Sequence, residues 1–141
     1  MEKQVIDDKI KELFISSRVI ALVGASNNKD KDSNKVMKFL QRAGYKVIPV
    51  NPTAINSYIH GEKVYGSLTD VEQNVDIVDV FRPSDEVEEI AKQTIEIGAS
   101  ALWLQLDIDN DKAKDVVIKN KIYYISNKCT KIEFERLFRK S

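Results

Sequence analysis

Five short apolar runs, at residues 18–24, 46–50, 75–81, 101–105 and 121–126, recur along this sequence with segments of different periodicity between them. Each is β-rich and too short for a buried helix, the pattern of strands covered on both faces of a parallel sheet. Between the runs, apolar residues return at helical spacing. Val36, Met37, Phe39, Leu40 and Ala43 form one stripe, and Val87, Ile90, Ala91, Thr94, Ile95 and Ile97 another. Shorter helices are expected over 109–119 and 131–139. Ahead of the first run, Val5, Ile6, Ile10, Leu13 and Phe14 predict an amphipathic helix over 3–15. Ser33 and Ser84 stand where N-caps belong, and Gly44 and Gly98 where a glycine ends a helix. Residues 53–74 read as a long irregular excursion. Strands alternating with helices imply βαβ units, hence an α/β, doubly wound parallel sheet of about five strands with helices on both faces.

With 141 residues, 43% of them hydrophobic, the chain can bury a core without a disulfide or metal staple. No repeat or Pro/Gly/Ser-rich linker divides it, so residues 1–141 read as one domain with the 1–16 helix packed on it. No apolar run approaches the about 20 residues of a membrane span. The acidic, broken start Met1-Glu2-Lys3-Gln4-Val5-Ile6-Asp7-Asp8 is unlike a secretory signal, which makes the cytoplasm the expected location. The 22 basic residues are balanced by 22 acidic ones, leaving no basic excess for nucleic acid. A single Cys excludes an internal disulfide framework. A single His argues against a zinc site and leaves only His60 for a hydrolase triad. The chain reads as a ligand binder, with no catalytic or metal-ligating residue assigned.

In an open doubly wound sheet, ligands bind beyond the carboxyl ends of the strands. That rule selects residues 24–28, 51–53, 81–84, 105–107 and 126–131. Gly24, Ala25 and Ser26 let the backbone approach a phosphate just ahead of a helix N-terminus, and Asn27 and Lys35 extend this candidate set. The dinucleotide fingerprint is absent, because positions 26 and 29 are Ser and Lys. At the second strand end, NAD-binding domains carry Asp or Glu for the ribose hydroxyls, whereas Asn51, Pro52 and Thr53 are neutral. With Lys29, Lys31 and Lys35 nearby, this points to a ligand more heavily phosphorylated than NAD. Phe81 and Arg82 occupy the third end, where Arg82 would meet a phosphate or else Asp79 or Asp85. Gln105 places an amide at the fourth mouth. Cys129 precedes the last helix, where the helix N-terminus, Lys128 and Lys131 would lower its thiol pKa. Three features read as structural: His60 lacks a carboxylate partner, Asp76 and Asp79 lie on opposite strand faces, and Asp107, Asp109 and Asp111 form a helix-start charge cluster.

Several strings, taken in order, carry a family resemblance. They are Val23-Gly24-Ala25-Ser26, Gly44-Tyr45-Lys46-Val47-Ile48-Pro49-Val50-Asn51-Pro52, Gly61-Glu62-Lys63-Val64-Tyr65, Ser67-Leu68, Val75-Asp76-Ile77-Val78-Asp79-Val80-Phe81-Arg82, Gly98-Ala99, Trp103-Leu104-Gln105-Leu106 and Cys129-Thr130-Lys131-Ile132-Glu133. Over about residues 10–138, by these strings, the chain resembles the small stand-alone CoA-binding proteins. Their Rossmann-like domain is similar to the CoA-binding domain of the succinyl-CoA synthetase α-subunit. The resemblance implies coenzyme A as the ligand, contacted by Gly24, Ala25, Ser26, Asn51, Pro52, Phe81 and Arg82, with Gln105 and the Cys129 loop at the rim. Two features depart from the family pattern: Thr130 follows Cys129 where Pro is usual, and the 27–33 loop is rich in Lys and Asp. The synthetase's phosphorylated histidine lies in a further domain with no counterpart here, so the resemblance implies binding without ligase chemistry. Two alternatives stand beside it. One is an enzyme acting on an acyl-CoA or nucleotide through Arg82, Gln105 or Cys129. The other is a redox module in which Cys129 forms a mixed disulfide with the CoA thiol. No nucleic-acid or membrane partner is expected. Apolar residues over 10–14 would pack either internally or against a second copy, and a partner protein is compatible with the sequence.

Overall fold

The computed structural model describes residues 2–139, so residues 1, 140 and 141 of the range read as one domain lie outside the described residues. Five parallel strands, β1 (Val19–Val23), β2 (Lys46–Val50), β5 (Ile77–Val80), β6 (Ala101–Leu104) and β7 (Tyr123–Ile125), form one sheet in the order β2-β1-β5-β6-β7. Two residues each from β3 (Tyr58–Ile59) and β4 (Glu62–Lys63) pair antiparallel inside the excursion. Helices α1 (Glu2–Ser16), α2 (Asp32–Arg42) and α5 (Thr130–Phe138) cover one face of the sheet, and α3 (Val87–Glu96) and α4 (Asp111–Lys119) the other.

Strand alternation sorts the core into these two layers. From β1, Ile20 and Leu22 meet Met37 and Leu40 of α2, while Ala21 and Val23 meet the layer of Val87, Ala91 and Val117. Both faces are covered, so the strands are continuous apolar runs, as the sequence predicts. Helix α1 is integral to its layer: Ile10, Leu13 and Phe14 are buried within the chain and not offered to a second copy. An ion pair from Arg136 of α5 to Asp7 (2.7 Å) links the two helices, and Glu133, on α5 itself, holds the same guanidinium (2.7 Å).

Gly44 (φ +107°) ends α2, with its N–H donating to Gln41 O and that of Tyr45 to Leu40 O, the hydrogen-bond pair of a Schellman cap. The two serine caps are corrected. Lys31 occupies the cap position of α2 and Ser33 lies buried in its first turn, because Asn28 closes a tight turn onto Asp30 and Lys31 that starts the helix earlier. Ser84 begins a 3-10 turn ahead of α3. Its hydroxyl accepts from the Asp109 N–H (3.1 Å) and its carbonyl from Asn110 Nδ2 (2.9 Å), so a distant loop takes the groups a cap would use. Asn110 itself caps α4, accepting from the Ala113 N–H at 2.9 Å.

Candidate ligand-binding site

The chain runs outward from β1 to β2 and then returns across β1 to β5, so strand order reverses between β1 and β5. Their carboxyl ends therefore open a crevice, the place where doubly wound sheets take ligands. Gly24 ends β1 at φ +91°, and a Cβ there would lie 2.9 Å from both the Phe81 carbonyl oxygen and Arg82 Cδ. The backbone needs a residue tolerant of positive φ, and the crevice floor leaves no room for a side chain. Gly44→Ala meets only the first difficulty, because nothing lies within 4 Å of its Cβ position. We expect Gly44→Ala to cost about 1–2 kcal/mol and Gly24→Ala clearly more, measured by urea unfolding. Equal losses would contradict the close approach of Phe81 to Gly24.

A cleft of about 340 Å³ opens over this floor. Val23, Gly24, Val50, Asn51, Pro52 and Thr53 line it from the ends of β1 and β2, and Gly66, Ser67 and Leu68 from the excursion. Arg82, Glu86, Glu89, Ile90 and Gln93 close the other wall. The excursion reaches the cleft because Tyr65 bridges Val50 in parallel fashion, its N–H donating to Pro49 O (3.0 Å) and its carbonyl accepting from the Asn51 N–H (2.8 Å). A larger groove of about 450 Å³ runs between α1 and β7, but its lining is mostly aliphatic and aromatic and lies away from the switch point. The smaller cleft has the convergent polar groups a specific ligand requires.

Of the residues singled out in the sequence, Gly24, Asn51, Pro52 and Arg82 line this cleft. Asn51 is also a structural tie: Nδ2 donates to Ala25 O (2.8 Å), and Oδ1 accepts from the Thr53 N–H (2.9 Å) and hydroxyl (2.8 Å). Ala25 is buried. Ser26 Oγ accepts from the Asn28 N–H at 3.1 Å, and Ser26 O from Asn34 Nδ2 at 2.8 Å. Asn27 and Lys35 are exposed near the start of α2, whose N-terminus has no side-chain cap, leaving first-turn N–H groups for an anion. No ion pair engages Lys29, Lys31 or Lys35 among the described residues. Phe81 turns into the α2/α5 layer.

Arg82 meets neither Asp79 nor Asp85. Its Nε and Nη2 donate to the two carboxylate oxygens of Glu86 at 3.1 and 2.7 Å, because the 3-10 turn brings Glu86 round beneath the guanidinium. Glu86, with Glu89 and Gln93, is a site residue the sequence reading missed. Spacing of three and seven from Glu86 puts them on one helical face, legible only once the start of α3 is known.

Gln105 is not at the mouth. It is buried, and Nε2 donates to Asp79 Oδ1 and to Thr130 Oγ1 (3.1 Å), while the Thr130 hydroxyl donates to Asp79 Oδ2 (2.9 Å). Burial drives the Asp79 carboxyl up to about 7 despite these two hydrogen bonds. Cys129 is half-buried, and its thiol pKa is raised, a correction to the expected lowering. Burial outweighs the N–H groups of Ile132 and Lys131, and the nearby Asp79 and Asp32 charges add to it. His60 is half-buried, with Nε2 against Asn34 O (3.1 Å) and Oδ1 (3.0 Å), which pins the β3–β4 hairpin to α2. Among the described residues no group of His, Cys, Asp and Glu is arranged to hold a metal, and no helix is long and apolar enough to cross a membrane.

The fold and crevice define a small Rossmann-like α/β protein with its candidate site at the topological switch point. Residues 18–135 match the CoA binding domain family, and the chain belongs to that family. It is similar to the uncharacterized protein YneT of Bacillus subtilis (strain 168), 36% identical over 88% of this chain and 90% of that one. A hypothetical protein from Pyrococcus horikoshii OT3 has a similar structure, with TM-score 0.89, 35% identity, and coverage of 93% of this chain and 91% of that one. The dinucleotide-forming acetyl-coenzyme A synthetase 1 of Ca. Korarchaeum cryptofilum, in complex with phosphate and ADP, is similar over 82% of this chain and 26% of its own. There the TM-score is 0.67 and the identity 26%.

Proposed function

We propose that the chain binds coenzyme A, or an acyl-CoA, at the carboxyl ends of the parallel strands and performs no chemistry of its own. The observation that carries this reading is the switch-point cleft itself, with the Arg82 stem crossing a glycine floor beside Asn51 and Pro52. Helix α2 adds an uncapped N-terminus after the same strand, attended by three lysines that make no ion pair among the described residues. A phosphorylated, elongated ligand suits both features. The family, and a structural neighbour named as an acetyl-coenzyme A synthetase, support CoA over other nucleotides. The chemical alternatives draw no support from the geometry. Gln105 is buried away from Arg82, and the Cys129 thiol, with its raised pKa, is a poor attacking group for disulfide exchange.

Calorimetric titration with CoA, dephospho-CoA, acetyl-CoA, NAD and ATP tests the reading. CoA should bind, dephospho-CoA more weakly, and Arg82→Ala should weaken CoA at least about tenfold, the scale of one charge-assisted contact. Binding of NAD but not CoA would overturn it.

A further inference from the structure

The electrostatics of the cleft conflict with its shape. Among the described residues Arg82 is the only cation in the lining, and it shares the wall with two carboxylates, Glu86 and Glu89. As it stands the cleft is net negative. Both Arg82 donors that face Glu86 are taken by its two oxygens, at 3.1 and 2.7 Å, the forked arrangement a phosphate would otherwise occupy. The Arg82 stem passes over Gly24, leaving its head to the side where Glu86 sits. The pair is also built to be exchanged. Its side chains are 44% and 45% exposed, and an ion pair so open to water contributes little to stability. Glu86 makes no other side-chain hydrogen bond among the described residues.

We propose that Glu86 is an internal stand-in for the ligand's phosphate, so that Arg82 is handed from the Glu86 carboxylate to a phosphate group when a ligand enters. This rests on the reading of the cleft as a CoA site and adds a selectivity to it. A ligand carboxylate carries one charge in the same fork geometry. It gains nothing over Glu86, which competes from within the chain at high effective concentration. A phosphate monoester carries close to two charges and three acceptor oxygens, and can displace it. Glu86 therefore sets a threshold that admits phosphorylated ligands and turns away carboxylates. Hydrogen bonding to Arg82 holds the Glu86 carboxyl below its ordinary range, so the competitor is charged at neutral pH.

The test is calorimetric titration of the wild-type chain, Glu86→Gln, Glu88→Gln and the double variant Arg82→Ala/Glu86→Gln with CoA, inorganic pyrophosphate and succinate. Glu88 lies on the same helix but outside the cleft lining, so it controls for general charge. Glu86→Gln should bind CoA about tenfold more tightly than wild type and should acquire measurable affinity for succinate. Glu88→Gln should match wild type, and the double variant should lose the gain. CoA binding that is equal in wild type and Glu86→Gln, or weaker in the variant, overturns the stand-in role while leaving the CoA reading intact. If CoA binds neither form, the CoA reading falls. Pyrophosphate then decides: tighter binding by Glu86→Gln sustains the stand-in role, and no difference overturns it too.

Discussion

Replacing Phe14 by Ala should lower the unfolding free energy by about 3–5 kcal/mol, a large share of the about 5–15 kcal/mol that holds a domain of this size. Phe14 is 2% exposed and sits at the centre of an aromatic cluster, with ring centroids 5.3 Å from Trp103 and Phe134 and 6.2 Å from Phe138. The Tyr45 hydroxyl also donates to the Phe14 carbonyl, tying the chain after α2 to the end of α1. Truncation would leave a cavity walled by rings on β6 and α5, which cannot collapse inward without moving the sheet. Ile15, its neighbour in sequence, is 69% exposed, and Ile15→Ala should change stability by less than about 0.5 kcal/mol. Trp103 is the only tryptophan and is fully buried, so its fluorescence during urea unfolding reports both variants. A Phe14→Ala loss under about 1 kcal/mol would mean that α1 is not part of the cooperative core.

How far the sequence leads depends on whether the deciding interaction is local. The five sheet strands fall within the five apolar runs because burial on both faces leaves an unbroken signal. Gly44 and Gly98 end their helices as read, since a positive φ is a property of one residue. Ser84 is different, because what recruits its hydroxyl is a loop at residues 109–110. The excursion hides a two-residue hairpin whose turn, His60 and Gly61, has φ of 48° and 82°. Both positive values match a type I′ turn, but His-Gly is a weaker announcement of one than Asn-Gly. The candidate site divides in the same way. Gly24, Asn51, Pro52 and Arg82 follow from the rule that strand ends make the site. Gly66–Leu68 arrive only through the Tyr65 bridge to Val50, and Glu86 only through the turn that delays α3. Gln105 shows the limit of that rule: its strand ends at the mouth, while its side chain turns inward to meet Asp79 and Thr130.

That inward turn leads to the second large effect, a pH dependence of stability carried by Asp79. The carboxyl is fully buried on β5 and, among the described residues, pairs with no Lys or Arg. Gln105 and Thr130 are its only side-chain partners. The Thr130 hydroxyl supplies a donor that a proline at this position could not. Two neutral donors do not offset the loss of water, so the folded-state value rises from 3.8 to about 7. A raised value favours the protonated form in the folded chain. Its contribution is therefore fully present below about pH 4 and is lost as pH climbs to about 7. Across that window the unfolded chain ionises and the folded one does not, at about 1.4 kcal/mol per pH unit, or about 4 kcal/mol in all. Asp7 and Asp109, whose values are lowered by Arg136 and Tyr124 respectively, act in the opposite sense and at lower pH, losing stability as pH falls. Asp79→Asn keeps the shape and cannot ionise. Its amide can donate to Thr130 Oγ1 while its carbonyl still accepts from Gln105 Nε2. Urea midpoints followed by Trp103 fluorescence from pH 4 to 8 should show the wild-type chain losing stability relative to Asp79→Asn up to about pH 7, and running parallel to it above. Groups common to both chains cancel in that difference. Profiles that stay parallel throughout the window would mean that Asp79 is ionised in the fold at pH 4, and that Gln105 and Thr130 hold a carboxylate rather than an acid.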